Sequence, residues 1–236
     1  MFARVYLPPF ITALFAGLFI AIGILTFGDA DTFDRLFVGV LVFTLIICRH
    51  NIDIVSLLAI IFLQRIMQEL AWASLSDGEV LKELLYSLVL VTMYALRYDP
   101  LVKWLASVVV LAVCAELYWY FTDYPAPQLY WHLTLLLSCM LTRYMIFSRL
   151  ELVQKYLTRQ SQSTNLDWIF YKLAGTTAIV HVAAILEYLI RHILGLSQVL
   201  IIYYAYPYIV HGIATFAIWA TFHESYKQLL PKLLKA

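Results

Sequence analysis

The stretch Leu101–Phe121, LVKWLASVVVLAVCAELYWYF, decides the class of fold. After Lys103 it offers water very little. Val108, Val109, Val110, Leu111 and Val113 crowd together, and Glu116 is the lone carboxylate before an aromatic end. About 20 apolar residues, rising 1.5 Å each, cross a hydrocarbon core roughly 30 Å thick. Backbone amides find no water there, so the run is a helix or a strand of a closed barrel. Barrel strands are short and alternate in polarity, which this run does not, so a helix is expected.

Comparable runs fill the chain on either side. They lie at 8–28, 33–48, 53–75, 80–97, 127–147, 168–193 and 198–222, giving eight candidate transmembrane helices in all. The composition agrees. Of 236 residues, 63% are hydrophobic and 13% are charged, and the mean hydropathy is +0.83. A soluble domain is nearer half apolar and a quarter charged. The expected fold is an all-α, polytopic membrane helical bundle forming a single transmembrane domain over 1–236. Disorder, a disulfide scaffold and a coiled coil are excluded on the same figures. A net charge of +1 gives nucleic-acid binding no electrostatic support. Cys48, Cys114 and Cys139 are far apart within apolar runs and read as small buried residues.

The breaks carry turn chemistry at Asp29-Ala30-Asp31, Asp77-Gly78, Asp99-Pro100 and Pro125-Ala126-Pro127. The run at 33–48 is short and needs Arg35 and Arg49 to snorkel at its ends if it is to cross. The first run has only Arg4 before it and is too long for a usual signal core, so it reads as a retained helix. One long loop is expected at 148–167. In its first half Leu150, Leu152, Val153, Tyr156 and Leu157 suit a helix lying on the membrane surface.

Charge sets the orientation. With the N-terminus in the cytoplasm, that side receives Arg4, Arg49, Arg97, Lys103, Arg143, Arg149, Lys155, Arg159, Lys172, Lys227, Lys232 and Lys235. The other receives Arg35, Lys82 and Arg191. The positive-inside rule then places both termini in the cytoplasm, in a cell membrane of bacterial inner-membrane type. Aromatic belts are expected at Trp72, Tyr118, Trp119, Tyr120, Tyr130 and Trp131 outside. The inner belt would hold Tyr98, Trp104, Tyr144, Trp168 and Tyr171.

Ionisable groups inside hydrocarbon are costly and are functional candidates by default. Depth arithmetic puts Glu69, Glu116, Glu187 and His132 about three-quarters of the way toward the outer face, with Arg65, His181 and His211 near the midplane. Arg65/Glu69 and Glu187/Arg191 are spaced i,i+4, so the plainer reading of each is an internal ion pair. Glu116 has no cation near it in sequence and must be protonated or meet one from another helix. Arg143, near a cytoplasmic end, is expected to snorkel. Pro207 is expected to kink the last helix, where Tyr203, Tyr204, Tyr206 and Tyr208 supply hydroxyls.

Three functional classes are compatible with this pattern. The first is a pathway for protons, cations or a small solute, its outward cavity lined by Glu69, Glu116, Glu187, His132, Arg65, His181 and His211. The second is a non-catalytic membrane subunit. It would bind a soluble or membrane partner, or further copies of itself, through Arg149, Lys155 and Arg159 of the loop and Lys227 and Lys232 of a basic tail at 224–236. The third is a haem or metal protein. His181 and His211 would be the axial pair for a b-type haem, or the Glu/His layer would hold a divalent cation. No catalytic role is assigned to any residue, since no GxSxG, HExxH, GxGxxG or Walker A sequence is present.

Overall fold

The computed structural model describes residues 2–75, 79–124 and 129–233. Among them the chain is entirely helical: α1 (Phe2–Leu25), α2 (Ala30–Ile47), α3 (Ile52–Leu75), α4 (Glu79–Ala95), α5 (Pro100–Thr122), α6 (Tyr130–Phe147), α7 (Arg149–Leu157), α8 (Asn165–Ile193) and α9 (Ile201–Leu233). Each expected span coincides with one helix, and α7 is the helix expected in the long loop. Four helical segments are long and apolar enough to cross a membrane: Ile52–Ala71, Pro100–Thr122, Asn165–Ile193 and Ile201–Gln228. The pair α6 and α7, bent by 66° at Ser148, is a fifth if taken together. The apolar parts of α1 and α4 are shorter, Ala13–Leu25 and Leu84–Ala95. This is the architecture of a helical membrane protein. Its outward side chains agree: Ile24, Ile46, Val91 and Leu111 are exposed, far more apolar surface than a protein in water leaves open.

Helix ends follow their sequences. Asp29 caps α2 by accepting from the Thr32 amide at 3.1 Å. Asn51 accepts from the Asp53 amide at 3.1 Å at the head of α3. Asp99 caps α5 through Leu101, with Pro100 in the first turn. Thr164 and Asp167 form a capping box for α8: the Thr164 amide donates to Asp167 Oδ2 at 2.7 Å and the Asp167 amide to Thr164 Oγ1 at 3.3 Å. The expected turns at Asp77-Gly78 and Pro125-Ala126-Pro127 lie outside the described residues.

The chain forms two compact units. The first comprises Met1–Phe62, Arg149–Phe170 and Val210–Ala236. Gly23 of α1 faces Thr215 of α9 so closely that a Cβ would sit 2.7 Å from its hydroxyl. Phe15 stacks on Phe222 at 4.3 Å, and Phe19 meets the same ring.

The second unit comprises Leu63–Ser148 and Tyr171–Ile209. Its core takes Leu85, Val89 and Met93 from α4, and Leu133, Leu136 and Met140 from α6. A stripe on α5, Val102, Leu105, Val109, Ala112, Ala115 and Trp119, recurs every three or four residues and faces them. Lipid tails are as apolar as leucine, so packing rather than water exclusion holds such helices together. Ala112, Ala115 and Ala178 keep the backbones close enough for it.

Three expectations change. Trp119, placed in the outer belt, is 1% exposed and belongs to the core, whereas Tyr118 and Tyr120 do face outward. Cys48 and Cys139 are buried, but Cys114 is exposed. The stretch beyond 222, expected to hold a basic tail at 224–236, continues α9 to Leu233, and Glu224 and Ser225 are buried.

Candidate functional site

The polar interior of the second unit is built by α3, α6, α8 and α9. His132 is two residues into α6, His181 lies midway along α8, and Tyr206 is in the second turn of α9. The three rings form a triangle, with centroids 5.8 Å apart for His132 and His181, 5.4 Å for His132 and Tyr206, and 5.7 Å for His181 and Tyr206. The Tyr206 hydroxyl lies 3.5 Å from His181 Nδ1. His181 is 2% exposed. His132 Nδ1 is buried and has no hydrogen-bond partner among the described residues. On α3, Arg65 Nη1 donates to Gln68 Oε1 at 3.2 Å, and Gln68 Nε2 reaches Ser138 Oγ of α6 at 3.5 Å.

The expected pairing was His181 with His211. Instead His181 meets His132. His211 belongs to the first unit, where its Nε2 is 2.6 Å from the Gly23 carbonyl oxygen and its ring packs on Phe33 at 4.2 Å. The Nε2 of His211, a ring atom that a haem iron would need, is thus engaged elsewhere. The metal layer of Glu69, Glu116, His132 and Glu187 does not assemble either. Among the described residues no three His, Cys, Asp or Glu side chains gather as a metal site.

The carboxylates have separate engagements. Glu69 is 70% exposed, 3.7 Å from Arg65, as the i,i+4 reading foresaw. Glu116 accepts the Tyr86 hydroxyl at 2.9 Å. It borders an open cleft of ≈ 610 Å³ with Trp119, Tyr120, Phe121, Asp123 and Tyr124. Glu187 does not pair with Arg191. Its carboxylate accepts the backbone amides of Ile202, at 2.5 Å, and Tyr203, at 2.9 Å. These are orphan donors in the first turn of α9, where the helix dipole also favours a negative charge. Each of these acids thus has a partner of its own. Tyr203, Tyr204 and Tyr208 face outward, and of this set Tyr206 is the inward one.

The expected docking residues divide. Arg149 is 1% exposed and cannot meet a partner. Its Nε and Nη2 hold the two oxygens of Asp167, each at 2.7 Å. Nη1 reaches Ser56 and Ser161 at 2.8 Å, and Nη2 the Gln162 carbonyl at 2.7 Å. Asp53 completes the knot by accepting the Ser161 hydroxyl at 2.6 Å and the Gln162 amide at 2.8 Å. Lys227 pairs with Glu224 at 2.9 Å. Lys155 and Arg159 are exposed. The side chain of Lys232 lies outside the described residues.

Arg143 does not snorkel. It pairs with Asp99 at 2.8 Å and donates to the Tyr171 hydroxyl at 2.7 Å. Its guanidinium lies over the Tyr171 ring at 3.9 Å. Gly175 leaves the room it occupies. Asp53, Asp99, Asp167 and Tyr86 were not among the expected site residues. The cap patterns Asn51-x-Asp53 and Thr164-x-x-Asp167 were the signals in the sequence that could have drawn notice to two of them. No protein-family model, curated protein or solved structure matches this chain.

Proposed function

We propose that this chain is a multi-pass protein of a bacterial-type inner membrane, with eight spans and both termini cytoplasmic, serving a pathway for protons or cations. The working centre is the His132–His181–Tyr206 cluster. The excess of Lys and Arg in alternate loops supports the orientation. The correspondence of α1 to α6, α8 and α9 with the eight apolar runs supports the count.

The observation that carries the functional reading is His132 Nδ1, a buried ring nitrogen without a partner beside two other proton-bearing rings. A polar atom left unpaired in such surroundings costs about 1–3 kcal/mol. A neutral imidazole has one donor and one acceptor nitrogen, so it takes up a proton at one and releases it at the other. The Tyr206 hydroxyl is placed to exchange with His181 Nδ1. The His132 ring lies beside both of them, with its Nδ1 unpaired among the described residues.

The test is proton flux into proteoliposomes carrying a pH-sensitive dye, driven by a potassium diffusion potential. Wild-type protein passes protons above protein-free vesicles. His132→Phe lowers the rate about 100-fold or more, the usual worth of a positioned acid or base, and Tyr206→Phe lowers it less. Wild-type flux no faster than empty vesicles overturns the reading, as does a folded His132→Phe with an unchanged rate.

A membrane subunit that docks a partner is the second reading. It is favoured by the exposed cations Lys155, on α7, and Arg159, just after it.

A further inference from the structure

We infer that α7 and the turn after it form a docking site for anionic lipid headgroups. At a 1.5 Å rise its nine residues span about 14 Å, too short to cross a bilayer. One side is fixed in the first unit by Val153 and by Arg149, both buried. The remaining surface leaves Leu150, Tyr156 and Leu157 exposed at 38%, 70% and 51%. Lys155 and Arg159 are exposed beside them. Among the described residues neither cation forms an ion pair, although Glu151 lies one turn before Lys155.

Apolar and cationic groups on one short helix match the acyl–headgroup boundary of an anionic leaflet, where each component finds its complement. Three features hold the surface in place. Thr158, at φ 50°, ends the helix in the left-handed region and turns the chain toward Arg159. Ser161 and Gln162, two and three residues on, are tied to Asp53. Trp168 is 59% exposed in the first turn of α8, where a candidate span begins. An indole there is the usual mark of the headgroup level. The cations are therefore held on a frame at that level.

The test is lipid binding to the purified full-length protein in an uncharged maltoside detergent, read by native mass spectrometry. Dioleoyl phosphatidylglycerol is compared with dioleoyl phosphatidylcholine. Wild-type protein prefers phosphatidylglycerol, and the preference shrinks as salt is raised. The double variant Lys155→Gln, Arg159→Gln loses about 30-fold in phosphatidylglycerol affinity, the worth of two basic groups at such a surface. Its phosphatidylcholine binding is unchanged. Arg35→Gln, an exposed basic residue elsewhere, leaves the preference intact. Equal binding of the two lipids, a preference indifferent to salt, or an equal loss in Arg35→Gln overturns the assignment. Glycerol phosphate competing as well as the lipid overturns it too, since a free anion would then be the ligand.

Discussion

Arg149 and His132 both keep polar atoms away from water, and they differ in how fully those atoms are answered. Every nitrogen of the Arg149 guanidinium has an acceptor, drawn from Asp53, Ser56, Ser161, Gln162 and Asp167. His132 Nδ1 has none. A saturated buried ion holds structure in one arrangement, because any other leaves a charge uncompensated. An unsaturated site has an interaction to spare for something that arrives.

The saturated side breaks hardest. Arg149→Ala leaves two carboxylates without their cation, and a loss of about 3–5 kcal/mol is expected in chemical unfolding in micelles. Arg149→Lys recovers only part, since an ammonium cannot make the two-pronged bond to Asp167. Gly175→Ala comes next. Its Cβ runs into Arg143 Nη1, and Asp99 and Tyr171 hold that side chain from yielding, so about 1–3 kcal/mol is lost on the same unfolding measurement. Glu187→Ala uncaps α9 and costs about 0.5–2 kcal/mol. Hydrogen exchange should show the Ile202 and Tyr203 amides speeding up first.

On the unsaturated side the sign reverses. His132→Phe removes the orphaned nitrogen, and stability should stay level or rise by up to about 1 kcal/mol while proton flux falls. A fall in stability as large as that of Gly175→Ala would show that His132 is structural after all. The smallest effect belongs to Asp29, whose carboxyl is held below the usual 3.8, first by the Thr32 hydroxyl. The folded value is depressed, so the support it gives α2 is complete above the unfolded value. That support disappears as pH falls through the folded one. Titration of Asp29 by NMR, against Thr32→Ala, checks it.

The membrane class and the positions of the helices were legible because the cost of a bare backbone in hydrocarbon forces long apolar runs. The direction in which a side chain leaves its helix was not legible. A 1.5 Å rise places His181 and His211 at one level and leaves open which way each ring points, so their different neighbours could not be foreseen. The Glu187–Arg191 spacing allowed a pair that the α9 amides displaced. Glu224 and Ser225 read as part of a basic tail because burial there comes from packing in the first unit, which local sequence does not record. Arg149 looked like one more surface cation. Its burial depends on Asp53 and Ser56, far away along the chain.

The length of α9 has a mechanical consequence. Its 33 residues make a rod of about 50 Å, against roughly 30 Å of hydrocarbon. In the proposed topology an upright α9 has several turns beyond the bilayer, continuous with the portion inside. Trimming the protein after Phe222 would therefore saw through a beam rather than remove a loose appendage.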